Sequence, residues 1–116
     1  MTTSELSKFR SSLDGCEVAL LADVDMQTCL LFDSAADLGQ EWLDQLCQQA
    51  SRYLNDIAPV PETRCLLVRP GGTRVFVRNM ASDSEALCLA FAPHANLEGV
   101  EDAARDVLAQ VLSEQL

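Results

Sequence analysis

The residues able to do chemistry are few in this chain, and their spacing converges on no reaction. Five cysteines stand at Cys16, Cys29, Cys47, Cys65 and Cys88, an odd number with no C-x-x-C pair. Neither a zinc site nor a thioredoxin-type couple is therefore written here. Each thiol sits among apolar neighbours, as in Thr-Cys-Leu-Leu at 28–31 and Leu-Cys-Leu at 87–89. Free cysteine is among the most buried residue types, so these read as reduced core thiols of a cytoplasmic protein. His94 is the single histidine, follows Pro93 and has no metal ligand at useful spacing. Gly71-Gly72 is too short to cradle a phosphate, no G-x-S-x-G motif occurs, and Lys8 is the only lysine. Asp23, Asp25 and Asp33 cluster near one turn without the spacing or terminal Glu of an EF-hand. The expectation is no catalytic residue, no metal and no cofactor.

Composition narrows the class. A chain of 116 residues, 48% hydrophobic and 22% charged, suits one domain over 1–116 with a core of its own. Its longest apolar run, Ala86–Ala92, is too short to span a bilayer, and the first ten residues hold no signal-peptide core. No membrane insertion is expected. The net charge of −10 repels a phosphate backbone, so no nucleic acid is expected either. The exception is local: between Glu62 and Met80 stand Arg64, Arg69, Arg74 and Arg78 against one acid.

Periodicity sets out the elements. Leu6, Phe9 and Leu13 at helical spacing, with Thr3 or Ser4 as cap and Gly15 beyond, predict helix α1 over 3–13. Cys16–Asp23 and Thr28–Asp33 flank a polar turn and predict the hairpin β1–β2. Leu43, Leu46, Cys47, Ala50 and Ile57 then recur along a helix α2 over about 38–56, with Asp37 and Gln40 as a loose capping box and Pro59 and Pro61 as its end. Thr63–Arg69 and Thr73–Met80 around Pro70-Gly71-Gly72 predict the hairpin β3–β4. Asp83 and Ser84 turn the chain into β5, Glu85–Ala92, and Asn96 caps α3 with its stripe Leu97, Val100, Ala104, Val107, Leu108, Val111 and Leu112.

The order is thus α-β-β-α-β-β-β-α, an α+β fold. Four strands are apolar on both faces, so both sides of the sheet must be covered. With α1 and α3 on one face, α2 is alone on the other, and one helix about 10 Å wide cannot cover a sheet about 20 Å across. That predicts an apolar strip beside α2, closed by dimerisation. Trp42 and Tyr53, the only Trp and Tyr, edge the α2 stripe, as aromatics at interfaces do. On β4, Arg74, Phe76 and Arg78 alternate onto one side, which predicts a row open to solvent and able to dock an acidic protein partner.

The order of elements, with the opening Phe9-Arg-Ser-Ser-Leu-Asp-Gly-Cys-Glu-Val-Ala-Leu-Leu-Ala-Asp-Val-Asp, resembles the Roadblock/LC7 family over roughly residues 4–115. Members similarly open with a short helix, a glycine, an apolar strand and an acidic turn. Here that turn, Asp23-Val-Asp-Met-Gln-Thr, lacks the glycine that often closes it. The resemblance implies a five-stranded antiparallel sheet with α1 and α3 on one face and α2 on the other. It also implies homodimers joined along α2 and β3 into a ten-stranded sheet, with Trp42, Leu43, Leu46, Gln49 and Tyr53 of α2 and Arg64 and Leu66 of β3 at the interface. Members are non-catalytic regulators or scaffolds, and bacterial ones bind small Ras-like GTPases and modulate their nucleotide cycle. The alternative is an acidic dimeric secretion chaperone holding an effector protein. Such chaperones usually set three strands between their first two helices, where this sequence has two.

Overall fold

Helix α1, Thr3–Ser12, begins one residue earlier than its apolar spacing suggests, because Glu5 decides where the cap lies. The Thr2 hydroxyl accepts from the Glu5 N–H at 3.2 Å while the Glu5 carboxylate accepts from the Thr2 N–H at 3.1 Å. This reciprocal box satisfies two donors that a helix start leaves open. The computed structural model describes residues 1–56, 63–79 and 84–115, with side chains as far as Gln110.

Strands β1, Cys16–Asp23, and β2, Thr28–Ser34, pair across the acidic turn. The Asp23 carboxylate accepts from the N–H groups of both Asp25 and Met26 at 3.0 Å, a local turn of the kind Asp side chains favour. Gln27 takes the left-handed conformation, φ 56°, that a glycine would adopt freely. Its amide lies 3.4 Å from the Ser51 hydroxyl of α2.

Helix α2 covers Gln40–Ser51 and continues as a π-helical turn, Arg52–Asp56. The expected Asp37–Gln40 box does not form: Gly39 is the N-cap without a side-chain bond, and Gln40 donates to Asp44 one turn on. Strands β3, Arg64–Arg69, and β4, Gly72–Arg78, follow, with Arg69 opposite Gly72, so only Pro70-Gly71 forms the loop. Gly72 has φ +135°, and a Cβ there would stand 2.1 Å from the Phe91 carbonyl oxygen. After β5, Glu85–Phe91, comes α3, Val100–Gln115. Asn96 does not cap α3: its side chain accepts from the Glu98 N–H at 3.0 Å, three residues too early, so Leu97 precedes the helix. Ile57, Pro59, Pro61, Met80 and Asp83 lie outside the described residues, as do the side chains of Val111 and Leu112.

Among the described residues, three helices pack on one antiparallel sheet of order β2-β1-β5-β4-β3. Its inner strands feed two cores by alternation. Ala19, Leu21, Val75, Val77, Leu87 and Leu89 pack under α1 and α3, with Leu6, Phe9, Val100, Ala104 and Leu108. Val18, Leu20, Phe76, Ala86 and Cys88 pack under α2, with Leu43, Leu46, Cys47, Ala50 and Leu54. The expected α+β arrangement, α1 and α3 opposite α2, is the one found.

One expectation about exposure fails, for a topological reason. Strand β4 lies inside the sheet and shows no face to solvent over Val75–Arg78. One bare apolar patch does lie beside α2, where Phe32, 42% exposed, stands opposite Leu20 on the α2 face of edge strand β2, and a second lies across the sheet. Leu66 and Val68, 57% and 73% exposed, lie on the α1/α3 face of edge strand β3, opposite Val75 and Thr73. Helix α1 packs over β1 and β2 and α3 over β4, and α3 meets β3 through the Arg64–Glu101 pair, which leaves Leu66 and Val68 uncovered. Leu46, fully buried in the protomer, should cost about 2–5 kcal/mol as Leu46→Ala. Urea unfolding measures that loss, and an unchanged midpoint would show that α2 is not seated on the sheet.

Candidate interaction surface

The side of α2 that leans toward β4 carries Trp42, Gln49 and Tyr53. Steps of seven and four residues bring all three close to one line along a helix. Each is half-buried. Beneath them the β4 side chains supply the partners. The Arg74 guanidinium lies 5.3 Å from the Trp42 ring centroid and donates to the Gln49 side-chain oxygen. Tyr53 stacks on Phe76 with centroids 6.4 Å apart and planes 10° from parallel. Burial, and then the neighbouring Arg69 charge, lower the Arg74 pKa from the usual arginine value.

Four other anticipated site residues belong to the core. Leu43 and Leu46 are 2% and 0% exposed and face the sheet, so they are not available to a second copy. Phe76 is fully buried under α2. Arg78, 6% exposed, donates to the Leu54 carbonyl at 3.1 Å and to the Asn55 side chain, holding the end of α2 against β4. The row Arg74–Phe76–Arg78 does share one side, as its spacing predicts, but α2 occupies that side. Only Arg74 remains within a partner's reach.

Arg64 and Leu66 lie on the opposite face of β3, beside a groove of about 570 Å³ between the β3–β4 hairpin and the start of α3. Arg64 donates to Glu101, which also takes Arg105 at 3.0 Å. These bonds, Arg64 first, hold the Glu101 carboxyl below its usual range. Val68 was missed as a surface residue, although its alternation with Arg64 and Leu66 gives it the same face.

Four of the five thiols are poor nucleophiles. Burial pushes Cys16 up to about 11 and Cys47 up to about 12, and raises Cys29 and Cys88 as well. The reactive species is the thiolate, which a desolvated site disfavours. Among the described residues no three His, Cys, Asp or Glu side chains gather as a metal set, and no helix is long and apolar enough to cross a membrane.

The sequence matches no protein-family model and no curated protein. Solved structures do match over nearly the whole chain. A Roadblock/LC7 domain from Streptomyces avermitilis is 9% identical with a TM-score of 0.77, covering 98% of this chain and 97% of that one. MglB in a tetrameric arrangement is 18% identical with a TM-score of 0.75, covering 98% and 90%. The gliding protein MglB from Thermus thermophilus is 20% identical with a TM-score of 0.69, covering 97% and 89%. At these identities the likeness is one of fold.

The thiols predict a pH dependence with a definite sign. Unfolded thiols ionise near about pH 8.5, whereas burial keeps Cys16 and Cys47 protonated to about 11 and about 12 in the folded chain. The folded state therefore binds more protons in that window. Stability is fully present below about pH 8.5 and falls above it, by up to about 1.4 kcal/mol per thiol per pH unit. Urea midpoints at neutral pH and at about pH 10 should differ in that direction, and Cys47→Ala should flatten the difference. Equal slopes for both proteins would contradict it.

Proposed function

We propose, with the Roadblock/LC7 fold of this chain as the premise, that it is a non-catalytic regulatory or scaffold protein working as a homodimer. In this reading residues 1–116 act as one domain in the cytoplasm, where thiols stay reduced. Its partner is a small Ras-like GTPase whose nucleotide cycle it modulates.

The observation that carries the dimer is the outer edge of β3. The Arg78 N–H donates to the Thr63 carbonyl at 2.8 Å, which phases the β3–β4 ladder. In an antiparallel pair such contacts alternate. Arg64, Leu66 and Val68 therefore turn their backbone N–H and C=O groups away from β4, and among the described residues no strand pairs with them there. Proteins protect such edges with short strands, proline, charge or a cover. This one is six residues long, without proline, and displays Leu66 and Val68.

A second β3, antiparallel across a two-fold axis, satisfies the open groups and extends the sheet to ten strands. The same axis covers Leu66 and Arg64 on one face and brings Trp42, Gln49 and Tyr53 of α2 toward their copies on the other. The tetrameric arrangement of MglB, which has the same fold, supports assembly as a mode of action. The GTPase follows from the likeness to bacterial Roadblock/LC7 domains.

Light scattering at micromolar concentration should return twice the 12.6 kDa protomer. Changing Leu66 and Val68 together to Lys should yield monomer with a melting temperature within a few degrees of the parent, since both side chains are exposed in the protomer. That monomer should no longer alter nucleotide hydrolysis by a Ras-like GTPase that the parent affects. A monomeric parent, or a double variant that still dimerises, refutes the edge-to-edge reading.

A further inference from the structure

The chain carries 8 basic residues against 18 acidic ones, so a basic side chain that finds no carboxylate is conspicuous. Arg10 pairs with Asp33 at 2.5 Å, Arg64 and Arg105 share Glu101, and Arg78 is bonded to the end of α2. Lys8 and Arg52 have no ion pair among the described residues either, but Arg69 and Arg74 differ from them in standing together. Among the described residues neither has an ion pair, yet both line one cleft of about 560 Å³ at the turn of the β3–β4 hairpin. They also stand close enough for the charge of one to act against the other.

The cleft has the other parts of a recognition site. Arg74 is held in place by Trp42 and Gln49, and the bond to Gln49 uses one of the five guanidinium donors. The wall is apolar, with Val18, Leu38, Trp42 and Ala90. Glu17 sits on its rim and disfavours a doubly charged anion such as phosphate. A carboxylate suits the site better: it is singly charged, takes bidentate bonds from arginine and can arrive with an apolar neighbour.

We propose that this cleft binds an acidic segment of a protein partner, with an Asp or Glu carboxylate between Arg69 and Arg74 and an adjacent apolar side chain against Trp42. The inference rests on the partner-binding reading above and adds the chemistry of the segment recognised. It also corrects the position of the docking arginines, from the buried row on β4 to the hairpin turn.

Trp42 is the only tryptophan, so its emission reports on the cleft directly. The full chain is titrated with the blocked peptide Leu-Asp-Ala-Leu, with blocked Leu-Asn-Ala-Leu, and with inorganic phosphate. The acidic peptide should give a saturating change that weakens as salt is raised, and the other two should give none at the same concentration. Arg69→Gln and Arg74→Gln should each weaken binding about tenfold or more, the expected loss for a charge-assisted pair. Arg69 is exposed, so its variant keeps the test valid if Arg74→Gln disturbs the Trp42 packing. An equal response to the neutral peptide, saturation by phosphate, or parental affinity in Arg69→Gln overturns the proposal. Light scattering on the same samples separates the two readings. Peptide binding through both arginines by a monomer upholds the cleft and refutes the dimer; a dimer blind to the peptide does the reverse.

Discussion

A sheet that is apolar on both faces has to be covered twice, and three helices do not stretch to its last strand. With the order β2-β1-β5-β4-β3, α2 seats on one face while α1 and α3 share the other, and β3 is left at the margin. Leu66 and Val68 are exposed because of this shortage. Helix propensity has no part in it.

The α2 face shows how polar residues are fitted beneath a helix at tolerable cost. Arg78 is nearly inaccessible, and a buried guanidinium without partners would be strongly destabilising. The last turn of α2 supplies those partners, through the Leu54 carbonyl and the Asn55 side chain. Arg74, four residues back along the same side of β4, meets the middle and start of α2 instead, through Gln49 and Trp42. Two arginines of the same strand therefore have different fates. One clamps the helix, and the other is left at its margin with charge to offer.

Electrostatics separates the surface in the same way. The acidic excess makes the chain as a whole negative, while the hairpin arginines form a small region of opposite sign. Charges so placed act mainly on the rate and register of association. Cys16 and Cys47 add nothing to this surface, since burial holds them protonated.

Local sequence by itself determined the elements. Continuous apolar runs marked β1, β2, β3 and β5 as strands of a sheet to be covered on both faces, period 3.6 marked the buried sides of the helices, and Pro70-Gly71-Gly72 marked the tight hairpin. These signals are legible because each arises within a few residues of chain. The cap of α1 was misplaced by one residue and that of α3 by several, since the choice among neighbouring Thr, Ser and Asn residues depends on where a distant N–H points. Which face of β4 was covered could not be read, because Arg74-Val-Phe-Val-Arg78 describes an edge strand and a clamped inner strand equally well. Only the sheet order, with β4 between β5 and β3, buried Phe76 and Arg78 under α2 and left Leu66 and Val68 bare. Strand order is a property of long-range pairing, and residue types along one strand do not encode which strands will stand beside it.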